Sequence, residues 1–484
     1  MNETQQQRRG EIRVRALVSC GLVAGMLLSG CKALQPDSAD AGAMVGSLPG
    51  QWTGKGPAIP NDAVIGWLDD FHSGTLTSLV TEAVGNSYDL AAARTRVRQL
   101  EERAKIAGAD RLPTLDAGVS TRRSQNLRGA SFQTVRANNF EFSLDVAWEV
   151  DLWGRIKDLR DAELDKLIAE TNVYEASRLS LAANVAKTAF EIVESKQQIA
   201  LSRRNLSSLN TNLQILDDKL EAGDADDRTA LDISLSRADQ ARAKSSILAE
   251  QRQLDSSKRV LETLLGRYPS GAIDGLSSLP SMPRKVPAGL PSELLLRRPD
   301  LLAAEARVDA AFKELSASRK ALLPAVRISG GAGTSTTDEF GDLFDIQNMV
   351  WNIGQNLTRP LYQGDRLRSN IRLDQHEVDE LAANYGETAL TAFREVETAL
   401  AGERYLASQY EALSVAAREA RRAEQLSLDQ YEKGIVDIIT LLESQRRSFD
   451  AQSAYLALQL QLLTNRVDLY LALGGDFHHP LVVK

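Results

Sequence analysis

Residues 156 to about 219 contain neither proline nor glycine, and residues 366 to about 431 contain no proline and only two glycines. Nothing in either stretch interrupts a helix. About 64 residues at roughly 1.5 Å each reach roughly 95 Å, longer than a compact domain uses. Such a helix holds in water only when a partner runs along its length, as in a coiled coil. The partners are at hand. Residues of about 228–266 and 437–473 read as returning helices, with Gly223 and Gly434 at the turns.

The two long stretches are copies of one unit. Shifting the sequence by 211 residues carries Asp89-Leu90 onto Asp300-Leu301, Leu112-Pro113 onto Leu323-Pro324, Tyr174 onto Tyr385, Val185 onto Val396 and Gly223 onto Gly434. A repeat of that length is an internal duplication, not a solenoid period. Each copy reads helix, strand, loop, strand, very long helix, turn, helix. The first repeat covers 67–282, with helices about 73–111, 156–219 and 228–266 and strands about 113–122 and 139–152. The second covers 283–475, with helices about 292–322, 366–431 and 437–473 and strands about 324–333 and 349–360. Proline disfavours helix in the residue before it, so the first helices stop at Leu112 and Leu323.

The strand at 139–152 carries the clearest local pattern. Phe140, Phe142, Leu144, Val146, Trp148, Val150 and Leu152 alternate with Glu141, Ser143, Asp145, Ala147, Glu149 and Asp151. A period of two gives one greasy face and one wet face. Leu115, Ala117 and Val119 alternate more weakly, and Val326, Ile328, Trp351, Ile353 and Leu357 give the second copy's pair. The Ser-, Gly- and Asn-rich segments 122–138 and 332–348 read as exposed loops. Four strands cannot close a barrel alone, and open edges in lipid leave costly unpaired N–H and C=O groups. Three chains supply twelve strands, an even number suited to an antiparallel barrel. The expected fold is an α+β membrane protein. It is a trimeric 12-stranded β-barrel, four strands per chain, continuous with a long α-helical coiled-coil tunnel. Trp148, Trp153, Trp351 and Tyr362 are candidate interfacial anchors. A half-buried soluble sheet is the competing reading, which the acidic face makes less apt.

The amino terminus reads as an export signal. Arg8, Arg9, Arg13 and Arg15 precede a short apolar run, Ala16 to Leu28, too short to span a bilayer. It ends in Leu28-Ser29-Gly30-Cys31, which resembles the bacterial lipobox. That resemblance implies a signal peptide of 1–30 and a diacylated Cys31 heading the mature chain, with 31–66 as an acylated tether and 476–484 as a tail. Cys20 lies in the leader, so the mature chain has one cysteine and no intrachain disulfide. The net charge of −8 disfavours a nucleic-acid partner.

Several motifs together resemble the outer-membrane factor family, the TolC-like channels, and within it the NodT-type lipoproteins. They are Gly289-Leu290-Pro291-Ser292-Glu293-Leu294-Leu295, Arg297-Arg298-Pro299-Asp300, Asp151-Leu152-Trp153-Gly154-Arg155 and Pro360-Leu361-Tyr362-Gln363-Gly364-Asp365-Arg366. The resemblance spans about 60–475. It implies a homotrimer in the bacterial outer membrane, with its helical tunnel in the periplasm. It further implies docking to a periplasmic adaptor and an inner-membrane pump, with small toxic compounds passing outward. An exit duct for type I protein secretion shares the fold, and a periplasmic coiled-coil scaffold lipoprotein without a pore is the rival from another class.

By the same resemblance, Ile439 and Glu443 sit at the periplasmic constriction, where a threefold ring of carboxylates attracts cations. Asp232 occupies the matching frame of copy one. Both acids also suit a first helical turn on dipole grounds alone. The turns Gly223-Asp224 and Gly434-Ile435-Val436 are candidate adaptor contacts, or simply solvated turns. Enzymatic readings find no support. His72, His376, His478 and His479 match no metal spacing, and Gly330-Gly331-Ala332-Gly333 lacks the Lys-Ser/Thr of a phosphate loop. No cofactor is expected beyond the lipid on Cys31.

Overall fold

The computed structural model describes residues 67–128, 133–222, 229–281, 297–337 and 340–475. Along the chain run α1 (Gly74–Asn86), α2 (Tyr88–Ala109), β1 (Thr114–Arg128), β2 (Gln133–Val150), α3 (Arg155–Glu221) and α4 (Thr229–Leu264). The second copy follows with α5 (Pro299–Lys320), β3 (Ala325–Thr336), β4 (Met349–Thr358), α6 (Arg366–Glu432) and α7 (Ile438–Ala472). Helix dominates, with one four-stranded sheet. Both α3 and α6 are 67 residues long. The chain divides into two units. One holds 99–168 and 305–384, the other 169–304 and 385–475 with the residues around α1.

The first unit carries the sheet, antiparallel throughout, in the order β1-β2-β3-β4. Its register sorts the side chains. Leu115, Ala117 and Val119 stand opposite Val146, Leu144 and Phe142. Those β2 residues stand opposite Gly330, Ala332 and Thr334, which in turn face Ile353, Trp351 and Met349. Directly paired residues share a face, so one side of the sheet is apolar from edge to edge. The other side collects Asp116, Ser120, Glu141, Ser143, Asp145, Glu149, Arg327, Asn352 and Asn356. The glycine run fits this placement. A Cβ on Gly331 would lie 2.8 Å from Asp145 Oδ1, and one on Gly333 would lie 1.9 Å from the Phe142 carbonyl oxygen. Helices of this unit pack through Ala311, Leu315 and Val378. Lys320 pairs with Asp158, Lys313 with Asp165, and Lys166 with both Glu163 and Glu314.

The second unit is built round α3. Ala182, Ala183, Val185, Ala186, Ala189, Phe190, Ile192 and Val193 are all buried, so this helix is covered on most of its circumference. Trp67 stacks on Tyr470 with ring centroids 5.6 Å apart, and Phe71 meets Phe190 at 5.4 Å. Fully buried Arg466 donates to both carboxylate oxygens of Glu403 at 2.7 and 2.6 Å. Arg298 donates to Asp300, to Glu395 at 2.7 Å and to the Ala472 carbonyl at 3.1 Å, so its role in the Arg297-Arg298-Pro299-Asp300 motif is structural. The two copies are not equivalent. Tyr174 and Tyr385 are both buried, yet Leu179 is 6% exposed while its counterpart Leu390 is 65% exposed.

Glu262, one turn from the end of α4, gathers the following segment. It accepts hydrogen bonds from the backbone N–H groups of Gly271, Ala272 and Ile273 at 2.6, 2.9 and 3.0 Å and from the Ser270 hydroxyl at 3.0 Å. Burial pushes this carboxyl up, but the Gly271, Ser270, Ile273 and Ala272 donors outweigh it and hold it below the usual carboxylate range. A depressed folded value contributes stability that is complete above the unfolded pKa and fades as pH falls through the folded one. Glu262→Gln should therefore lower the melting temperature at neutral pH by several degrees. The gap between variant and parent should shrink as the pH drops below about 4. A gap independent of pH between 3 and 7 would refute this assignment.

The structure departs from the sequence expectations in three places. The helix expected over 73–111 is two helices, because Ser87 adopts an extended ψ of 122° and its hydroxyl accepts the Leu90 N–H at 3.3 Å. A serine cap ends one helix and starts the next, directly after Gly85 and Asn86, two weak helix formers. The expected loop 122–138 is mostly strand, since β1 and β2 pair as far as Arg128 and Gln133. Polar side chains do not prevent a ladder whose hydrogen bonds are all backbone. The expected loop 332–348 begins as strand, to Thr336, and then forms short 3-10 turns at Phe340–Phe344 and Ile346–Asn348.

Candidate functional site

Two features stay uncovered among the described residues. They are the apolar face of the sheet and one side of the hairpin end of α7.

The apolar face is uncovered. Trp351 and Ile353 on β4 are 72% and 76% exposed, and Leu115, Val119, Phe142, Leu144, Val146 and Leu357 are exposed with them. Among the described residues β1 and β4 each pair on one side only, which leaves two open edges. The candidate aromatics differ. The Trp148 indole N–H donates to the Arg111 carbonyl at 2.9 Å, and the Trp153 indole N–H donates to the Pro324 carbonyl at 2.7 Å. Trp153 is half-buried and acts as a clasp. Trp351 and Tyr362 stand fully out.

The hairpin end is built from four helices. Leu216 of α3, Ile233 of α4, Tyr431 of α6 and Ile438 and Leu441 of α7 form one buried cluster, with Val436 and Leu442 packed against it. Lys219 lies over the Tyr431 ring, 4.8 Å from its centroid. Buried Asn212 donates to buried Gln445 at 2.6 Å, a polar tie that fixes the register of α3 against α7. Gly434 turns the chain with φ of 69°, a left-handed conformation that glycine adopts freely. Asp437 caps α7, accepting the Thr440 N–H at 2.8 Å. Ile435 is exposed and Val436 half-buried.

Helical spacing then decides which side chains remain outside. Ile438, Leu441, Gln445 and Ser448 are buried. Ile439 and Glu443, four residues apart, share a different face, on which Ile439 is exposed. Glu443 is not a bare carboxylate. Arg446 donates to its Oε2 at 2.7 Å and Arg447 to its Oε1 at 2.7 Å. The Arg447 and Arg446 hydrogen bonds hold its pKa below the usual range. Arg446 also lies 3.9 Å from Asp450, so the carboxylate expected from the sequence to attract cations is clasped by two guanidiniums within one chain. The i+3 and i+4 spacing carries that signal in the sequence. Asp232 lies half-buried in the first turn of α4. Cys31, Gly223 and Asp224 lie outside the described residues. Among the described residues no cluster of His, Cys, Asp and Glu fit to hold a metal occurs, and no helix is long and apolar enough to cross a membrane.

Known proteins match this architecture over nearly its whole extent. The family model described as outer membrane efflux protein matches residues 79–267 and 290–475. The pyoverdine export outer membrane protein OpmQ of Pseudomonas putida is 32% identical over 87% of this chain and 90% of its own length. The cation efflux system protein CusC of Escherichia coli O6:H1 is 28% identical over 87% of this chain and 90% of its own. The crystal structure of the open state of the Neisseria gonorrhoeae MtrE outer membrane channel superposes with a TM-score of 0.79 at 26% identity, covering 89% of this chain and 96% of that one. An amphipathic sheet on duplicated long helical hairpins and a matching sequence in both halves lead to one conclusion: the chain belongs to the outer membrane efflux protein family.

Proposed function

We propose that three copies of the chain pair β1 of one with β4 of the next, closing a twelve-stranded barrel whose apolar face meets lipid. The carrying observation is the sheet itself, greasy on one side, wet on the other and open at both edges. In hydrocarbon every edge N–H and C=O needs a partner, and only closure supplies them. The long helices continue the duct into the periplasm, a covalent lipid on Cys31 adds an anchor, and the hairpin ends engage a periplasmic adaptor and an inner-membrane pump. The chain conducts small toxic compounds outward without catalysis, and the pump supplies the driving energy. Relatives of similar distance are named for pyoverdine export and for cation efflux, which supports placing cargo choice outside the duct.

Ile439 and Glu443 form the resting constriction in this reading. Ile439 supplies an apolar collar. Glu443, locked by Arg446 and Arg447, holds its helix face rigid beside it. Replacing Ile439 and Glu443 together with Ala should raise single-channel conductance in planar bilayers several-fold. Glu443→Gln, which loosens both arginines while keeping volume, should give a smaller rise. Unchanged conductance in the double variant would remove these residues from the gate.

A further inference from the structure

Where β4 ends, the chain makes a short exposed turn into α6, and this turn differs from the rest of the surface in charge and polarity. Leu361 and Tyr362 are 90% and 87% exposed, among the most exposed large apolar side chains of the described residues. Arg359 precedes them and Arg366, Arg368 and Arg372 follow. Four arginines against the single Asp365 give residues 359–372 a net charge of +3, in a chain whose net charge is −8. The turn is held in shape. Gly364 and Asp365 take consecutive left-handed conformations, with φ of 61° and 64°, and the Ser369 N–H donates to the Asp365 carbonyl at 2.9 Å. Arg372 is spent on Asp365, whose carboxylate accepts from it at 2.8 Å. Arg366 donates to the Gln363 side chain at 2.6 Å. Arg359 and Arg368 make no salt bridge among the described residues.

We propose that this turn binds the phosphate groups of anionic phospholipids in the periplasmic leaflet, an inference that rests on the barrel reading. The apolar face of β4 ends at Leu357 and the strand at Thr358, so the next residues meet the headgroup layer. Leu361 and Tyr362 seat in the boundary between acyl chain and headgroup, where a phenol ring with a polar tip is at home. Arg359, Arg366 and Arg368 supply planar, bidentate donors for phosphate oxygens. The corresponding turn of copy one does not repeat the device. Its Trp153 is tied to Pro324 and its Arg155 to Glu149 at 2.7 Å. Of the two matching turns, the second alone carries the site.

The test uses the full acylated chain, inserted into bilayers of phosphatidylcholine alone and into equimolar phosphatidylcholine and phosphatidylglycerol. The protein is then extracted and its retained lipid is weighed by native mass spectrometry. Retained phosphatidylglycerol should exceed phosphatidylcholine on the order of a hundredfold, since each of the three arginines near a charged surface is worth a factor of about five. The variant R359Q/R366Q/R368Q should lose that preference with an unchanged melting temperature, and R359K/R366K/R368K should keep most of it. Equal retention of the two lipids by the parent chain overturns the proposal, as does an undiminished preference in the glutamine variant. Loss of retained lipid to millimolar inorganic phosphate would mark a free-phosphate site and overturn it too. Failure to insert into either bilayer would sink the barrel reading itself, whereas insertion without preference sinks the lipid site alone.

Discussion

Leu144→Arg should leave almost no assembled channel in the outer membrane. Leu144 lies in the middle of β2, with Ala117 opposite it on one side and Ala332 on the other. All three project from the apolar face. A guanidinium at the midplane of a lipid-facing barrel wall costs about 2–4 kcal/mol, and a threefold assembly carries that cost three times. Summed, the penalty approaches the whole stability of an ordinary domain. The neighbouring Asp145→Asn removes a charge from the opposite face, where its carboxylate accepts from the Ser143 hydroxyl at 2.7 Å. That change should leave assembly intact. The measurement is the fraction of protein recovered from outer membranes as a heat-modifiable oligomer. Normal assembly of Leu144→Arg, or equal loss in both variants, would show that the sheet does not face lipid in this sense.

The second large effect lies far from the sheet in sequence. Arg466→Ala should lower stability by about 3–5 kcal/mol, the range for removing one partner of a buried ion pair. Arg466 is fully buried on α7, and both oxygens of Glu403 on α6 accept from it. Truncating the arginine strips the partly buried carboxylate of two N–H donors and empties the fully buried site that the guanidinium filled. Restoring volume with Arg466→Met should recover little while Glu403 stays charged. Joining it with Glu403→Gln should recover most of the loss, because the unpaired charge is what costs. Thermal unfolding followed by circular dichroism reads the series. If Arg466→Met alone matches the parent chain, packing and not the ion pair holds α6 to α7 at this level.

Much of this architecture is legible in the residues. The strand over 140–150 announces itself because every second side chain is apolar, and nothing but a pleated strand puts those on one face. The long helices are legible from what they lack, since no residue in 156–219 can break them. The turn at Gly434 is legible for the opposite reason. Other features are hidden because their cause is tertiary. Ser87 reads as one more polar helix residue until its hydroxyl caps the Leu90 N–H, and Gly85-Asn86 just before it mark the division of α1 from α2 only weakly, since a lone glycine is tolerated inside a helix. Arg122 to Arg128 read as loop because they are polar, yet their backbone groups continue a ladder begun by apolar neighbours. Leu179 and Leu390 occupy matching places in the duplication, and only packing tells that one is covered and the other bare. At the hairpin end, Glu443 is legible as an exposed acid of α7. Its neutralisation is written in the spacing of Arg446 and Arg447, a signal easily overlooked when the carboxylate is weighed alone.

The length of α3 and α6 has an evolutionary corollary. Inserting a single residue into either helix swings everything downstream through about 100°, turning buried side chains such as Phe190 or Val396 toward the wrong neighbours. Seven added residues bring the faces back to within about 20°. Such an addition survives only if the antiparallel mates lengthen in step. Natural variants of this chain should therefore differ in helical reach by whole heptads, gained or lost in both halves together. Single-residue additions and deletions should collect in the segments that join one element to the next.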